Sequence, residues 1–203
     1  MSETRQKLLD TAIELIWEQS YNSVSVDDIC NQSGVKKGSF YHFFTSKSEL
    51  AVAAYEEHWQ HFYKPLYADI FYPDKPPLQR VEDWCNHIIA KQLDIFKRKG
   101  RVLGCPYASI GSELVSQDDK ILKKTNEIFA RATLYIETAL HDAAQLGLIA
   151  DKNIAQIASE IFSYMIGVLV IARINNNPAI ISRDLHKGVF NLIAQEARTP
   201  AAA

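Results

Sequence analysis

Cysteine is scarce in this chain, and its three copies, Cys30, Cys85 and Cys105, share no spacing that would hold a metal or staple a small fold. A disulfide framework and a structural zinc site are therefore not expected. Catalytic and phosphate-cradling signatures are missing as well. There is no Gly-x-Gly-x-x-Gly, no Gly-x-x-x-x-Gly-Lys-Ser/Thr, no His-Glu-x-x-His and no Gly-x-Ser-x-Gly, so a small helical enzyme has little to work with and no cofactor is implied. Nor is one charge in excess. With 22 lysines and arginines against 24 aspartates and glutamates, nonspecific adhesion to polyanions or to a membrane surface is disfavoured, and any hold on nucleic acid must come from a local patch. The longest apolar stretch, Ile161 to Ile174, contains Ser163, Tyr164, Gly167 and Arg173 and falls short of the roughly 20 residues of a membrane span. It reads as a buried helix. The polar opening Met1-Ser2-Glu3-Thr4-Arg5-Gln6-Lys7 has no apolar signal region behind it, which predicts a cytoplasmic protein with no membrane partner.

What the chain does have is helical periodicity, with no strand run and no internal repeat, so the fold class is all-α with about nine helices. A first helix from about Thr4 to Gln19 carries Leu8, Ala12, Leu15 and Leu9, Ile13, Ile16 as an apolar stripe. From Ser25 to Leu50 the pattern is denser. Val26 to Ser33 has Val26, Ile29 and Cys30 at helical spacing, and Gly34 ends it where a positive φ is easily taken. The next helix, Lys36 to Phe44, turns Phe40 and Phe44 inward, and Ser46 with Glu49 forms a capping box that opens a third. Two helices joined by a short glycine turn form a helix-turn-helix, whose second member enters the major groove. Lys36, Lys37 and Lys47, with no acid between Gly34 and Ser46, make this edge attractive to phosphate.

The run Gly34-Val35-Lys36-Lys37-Gly38-Ser39-Phe40-Tyr41-His42-Phe43-Phe44, followed by Ser46-Lys47 and Glu49-Leu50, resembles the signature of TetR-family transcriptional regulators, and Val26-Asp27-Asp28-Ile29 fits the same pattern. The resemblance is specific over about residues 5 to 50. It implies an N-terminal helix-turn-helix lobe at residues 1–47 and a C-terminal lobe for effector binding and dimerisation at residues 48–203. The implied function is that of a homodimeric repressor, released from a palindromic double-stranded operator by a small-molecule or electrophile effector. An activator or a DNA-binding scaffold without a ligand is the alternative, and a small enzyme is more distant. The DNA-facing positions carried over are Ser25, Lys36, Lys37, Ser39, Tyr41, His42 and Lys47. Ser25, Ser39 and Tyr41 can donate to phosphates, Lys36, Lys37 and His42 can reach base edges, and Lys47 can hold a phosphate at a helix start. Phe43 stands where the family usually has tyrosine and is left out. Ser20 replaces the usual glycine before Tyr21, and Ser33 a small apolar residue; neither is expected to disturb the fold.

Farther along, Pro65 should end or kink the helix begun at Lys47, and Asp69 to Pro77 is the clearest loop, with Pro77 in the first turn of a helix that stops at Gly100. Helices follow from Pro106 to near Ser116, from Ser116 or Asp118 to Gly147, from Asp151 or Asn153 to Ile174, and from Ser182 to Ala197, with the tail Ala201 to Ala203 frayed. Gly167 and Ala172 would let the penultimate helix approach a neighbour closely, and in TetR-like proteins the last two helices pair with those of a second subunit. Cys105, in Gly104-Cys105-Pro106, would sit at the positive end of a helix dipole with Arg101 near in sequence, a setting that favours a thiolate. This Gly-Cys segment, with Glu113 beyond it, is similar to a TetR-like subgroup in which some members respond to electrophiles or oxidants through a cysteine. Trp84, His87, Tyr107, Phe129, Tyr135 and Tyr164 are candidate walls of an effector pocket, although residues of this kind are more often ordinary core. His58 and His61 with Glu57 lack further ligands nearby, so no metal site is expected.

Overall fold

The computed structural model describes residues 2–114 and 118–196. Among these residues the regular elements are α1 (Glu3–Gln19), α2 (Val26–Ser33), α3 (Lys37–Phe43), α4 (Lys47–His58), a π-helical turn (Trp59–Tyr63), α5 (Lys64–Ile70), α6 (Pro77–Lys99), α7 (Pro106–Leu114), α8 (Asp119–Gln145), α9 (Ile154–Ile174) and α10 (Ala179–Glu196). The segments α4 and α5 run on through the π turn without a break, so the ten α-segments make nine uninterrupted helical stretches.

Local chemistry accounts for the ends. Pro77 opens α6 and Gly100 closes it at φ 68°, where the missing amide of proline and the missing Cβ of glycine are least costly. Asp118 caps α8 by accepting from the amides of Lys120 and Ile121, while Ser116 and the Ala201 to Ala203 tail lie outside the described residues. Pro65 does not end its helix. The preceding turn widens so that the Lys64 amide donates to the Trp59 carbonyl five residues back, and a π turn is a known way of easing the clash between a proline ring and the turn before it. The last helix begins three residues earlier than Ser182, at Ala179, after Asn177 takes the Ala179 amide.

The helices gather into two compact units, neither of them one continuous length of chain. One holds the residues up to Pro65 together with Pro106–Phe129; the other holds Leu66–Cys105 together with the chain from Ala130 onward. Residue 47 therefore lies well inside the first unit. There, α1 packs on α2, α3, α4 and α7 and buries Leu8, Leu9, Ala12, Leu15 and Ile16 against a core that includes Ile29, Phe40, Leu50 and Tyr55. Ile13 stays half-buried.

In the second unit α9 packs on α10, and α10 on α6. The buried Arg80 guanidinium is paired with Asp142 and also bonds the carbonyls of Lys75 and Pro73, so a charge that would be costly alone has its partners. The apolar stretch expected to be too short belongs to a 21-residue helix, α9, which by length and composition alone could cross a membrane. Its inward side carries Ile161, Met165, Leu169 and Ala172. Tyr164 lies against α10, where its hydroxyl donates to the Asp184 carbonyl at 3.1 Å and its ring occupies the space that a Cβ on Gly188 would need, 2.1 Å from the nearest ring atom. Gly188→Ala should therefore destabilise the protein by about 1–3 kcal/mol through overpacking, measured by urea denaturation. The double variant with Tyr164→Ala should recover part of that loss, because the clashing ring is gone.

Candidate nucleic-acid interface

The helix-turn-helix is assembled from local bonds. Ser25 caps α2 in a reciprocal box: its hydroxyl accepts from the Asp28 amide at 3.1 Å, and Asp28 takes the Ser25 amide at 2.8 Å. Gly34 closes α2 at φ 69°, and Lys36 stands as the residue before α3, one place outside the helix expected for it. Ile29, Val35, Phe40 and Phe44 are buried, which leaves Lys36, Lys37, Tyr41 and His42 exposed on the outer edge with Ser39 half-buried. Tyr41 is 53 % exposed and makes an edge contact to Phe40.

Charges at this edge are already engaged. The Lys37 ammonium meets both carboxylate oxygens of Asp27, at 2.8 and 2.9 Å, and this pairing raises its pKa. Both partners are well exposed, so solvent and salt screen the pair and an incoming phosphate can displace it. The Ser25 hydroxyl donates to Asp28 at 2.6 Å, which directs its proton away from a phosphate. The Ser46 box is only half formed, since Ser46 accepts from the Glu49 amide while the Glu49 carboxylate turns to Thr45.

Lys47 departs furthest from its expected role. Its ammonium donates to the carbonyls of Tyr21 and Val24, at 2.8 and 2.7 Å, and lies 4.0 Å from the centre of the Tyr21 ring. Burial pulls its pKa down while Glu113 and Asp28 pull it up. It serves as a brace of the α1–α2 turn. The opposite side of that turn is held by Glu113 of α7, whose oxygens accept from the amides of Tyr21 at 2.9 Å and Asn22 at 2.8 Å. Burial, with Asp118 and Glu113 nearby, pushes the Tyr21 phenol up to about 12. Ser20 enters the turn at φ 119°, ψ 158°, a region that only glycine adopts freely. Glycine's usual place at this position is thus explained, and the substitution is not neutral for the backbone. Asp27, Asp28 and Glu113 were not among the expected interface residues. Asp28, three residues after Ser25, has the spacing of a capping box, but Asp27, ten positions from Lys37, carries no mark of its pairing, and Glu113 acts across 92 residues.

The effector candidates divide between the two units. In the first, Tyr107 is buried, its ring edge-on to Tyr55 and its hydroxyl 3.1 Å from His58 Nδ1, and Phe129 is half-buried. In the second, Trp84 is buried and donates to the Tyr67 hydroxyl at 3.1 Å, while Tyr135 meets Tyr67 edge-on. His87 is half-buried with Nε2 lacking a hydrogen-bond partner among the described residues, and burial lowers its pKa. Cys105 is half-buried and is not in a disulfide. Arg101 is exposed; the cation that feels Cys105 is Lys91, which burial brings down to about 8. Tyr164 is committed to the α9–α10 contact described above.

Residues 8–54 match the family described as bacterial regulatory proteins, tetR family, and residues 77–186 match the tetracyclin repressor-like C-terminal domain. The chain is 25% identical over 198 residues, 97% of each chain, to an HTH-type transcriptional regulator in the lacX 3' region of Lactococcus lactis. It is 28% identical to the HTH-type transcriptional repressor NemR of Escherichia coli K12 over 116 residues, 55% of this chain and 54% of that one. Among solved structures, the regulatory protein TetR from Rhodobacter sphaeroides superposes with a TM-score of 0.80 at 22% identity, covering 95% of this chain and 98% of that one.

Lys47→Ala should lower unfolding stability by about 1–3 kcal/mol, because two carbonyls lose a charged donor, whereas Lys37→Ala should leave the unfolding midpoint unchanged. Ser20→Gly should raise stability by about 1 kcal/mol by releasing backbone strain. Urea titrations of the three variants decide all of these, and a stable Lys47→Ala protein would rule out the brace.

Proposed function

Because the chain belongs to the TetR family, and is accordingly a DNA-binding transcriptional regulator, we propose that it acts as a homodimeric repressor that leaves a palindromic operator when a small organic or electrophilic effector occupies its C-terminal lobe. The observation that carries the reading is the exposed edge of α3 and the residue before it. Lys36, Lys37, Tyr41 and His42 project outward from a helix whose other side is anchored by Phe40 and Phe44. Lys36, Lys37 and His42 reach base edges near the helix start, and Tyr41 and Ser39 hold phosphates. Ser25 contributes through its cap and Lys47 through its brace, both acting on the placement of α2 and α3.

Gly38 supports an external partner. It is exposed within α3, and a Cβ there would meet nothing within 4 Å. No internal packing requires the missing side chain, while glycine inside a helix is unfavourable. A duplex backbone approaching at this point supplies the reason.

Dimerisation is supported by Val170, Ile171 and Ile174 at the end of α9, which are 44%, 50% and 73% exposed and form an apolar strip of the kind that a second subunit covers. Effector binding is supported by His87 and Cys105, half-buried titratable side chains of the second unit. Typical couplings of about 1–3 kcal/mol between two such sites change affinity by roughly 5- to 150-fold. A regulator acting on the chromosome works in the cytoplasm.

The test is a gel shift on a palindromic duplex selected by the protein from a random-sequence library, with and without candidate effectors. Lys37→Ala should weaken binding and lower the salt slope by about 1, and Gly38→Ala should weaken binding while leaving the fold intact. Full affinity in both variants would displace α3 as the reader. A reporter that falls when the gene is deleted would make the protein an activator, and a complex indifferent to every effector would make it a ligand-independent binder.

A further inference from the structure

The α1–α2 turn is the only covalent route by which α2 is joined to α1, and its backbone is held by side chains from distant parts of the sequence. Glu113 uses one oxygen for each of two consecutive amides, Oε2 for Tyr21 and Oε1 for Asn22. Ser20, at φ 119° and ψ 158°, leads into these two amides. The Lys47 ammonium takes the carbonyls of Tyr21 and Val24. Three residues separate Asn22 from the start of α2, so a shift of the turn moves α2, and with it α3. We propose that Glu113 is a positioning residue for DNA recognition: its carboxylate, presented by a helix that returns to the DNA-binding unit late in the chain, fixes the turn from which the reading helices are hung. The proposal rests on the regulator function above.

Glu113 is poorly suited to a purely packing role. The apolar hold of α7 belongs to its neighbours Ile110 and Leu114, both buried, whereas Glu113 is half-buried and spends both oxygens on the turn. A carboxylate matches two parallel N–H donors in both charge and geometry. A carboxamide keeps one acceptor and sets an N–H against the other amide, so glutamine is a graded substitute and alanine a complete loss.

The charge sign makes the test selective. Removing an acid should by electrostatics alone raise affinity for a polyanion, so a fall in affinity isolates the positioning effect. The experiment uses full-length wild type, Glu113→Gln and Glu113→Ala, and a palindromic duplex selected by the wild type from a random library, read by fluorescence anisotropy across a salt series. Circular dichroism and sedimentation monitor fold and assembly. Affinity should drop about tenfold or more in the alanine variant and less in the glutamine variant, with the wild-type salt slope retained because no phosphate-binding cation is lost. The amide proton resonances of Tyr21 and Asn22 should move upfield in both variants. Wild-type or tighter binding in both variants, or unshifted amide resonances, overturns the proposal while leaving the regulator intact. So does a loss of affinity confined to an alanine variant that has also lost helix, with the folded glutamine variant binding as wild type. A wild type that selects no duplex overturns the regulator reading, and the proposal falls with it.

Discussion

A pair of short helices can read a groove only if the backbone that carries them is itself held, and here that hold is electrostatic. Four polar groups of one turn, the amides of Tyr21 and Asn22 and the carbonyls of Tyr21 and Val24, are taken by Glu113 and Lys47. Backbone groups outside regular secondary structure need such partners where they are part-buried, and side chains of opposite charge supply the acceptors and donors here. Ser20 is kept in a conformation that a free chain would leave. Strain of this kind persists only where the surroundings over-determine it, and the two charged residues are those surroundings.

Much of this architecture was legible in the sequence because it follows from short-range physics. The stripe of α1, Gly34 after α2, Pro77 at the start of α6 and Gly100 at its end all act within a turn or two of themselves. The residues that face outward from α3 were legible for the same reason, since Phe40 and Phe44 declare the inner side and the rest follow from helical spacing. What could not be read depends on distance along the chain. Lys47 looked like a free cation at a helix start because nothing near it announces the carbonyls 23 and 26 residues earlier. Pro65 signals a missing amide but not whether the helix ends or widens around it, as it does in the turn from Trp59 to Tyr63. Trp84 and Tyr164 carry the same aromatic signal whether they line a pocket or brace a core, and hydrogen bonds to Tyr67 and Asp184 distinguish them.

The outer edge of α3 also shows how a chain with slightly more acid than base can present local positive charge. Among its exposed cations Lys37 is not in a purely basic surrounding; Asp27 stands directly beside it. An anion arriving at Lys37 would have to take the place of the Asp27 carboxylate. Contacts that must first be released add little affinity on arbitrary DNA, and a complex built from them depends more on shape and base contacts than on bulk attraction.

The return of α7 and the start of α8 into the first compact unit bears on how such proteins can be recombined. Residues 106–114 and 118–129 complete the packing of the first unit: Tyr55 bonds the Pro106 carbonyl, Lys124 pairs with Glu56, and Thr125 fills the space beside Gly111. A headpiece exchanged at a junction near residue 47 or 65 would thus arrive without its own keystone and would have to fit a foreign one. Lineages that shuffle sensors and readers in this architecture must either preserve that fit or transplant two separate stretches together.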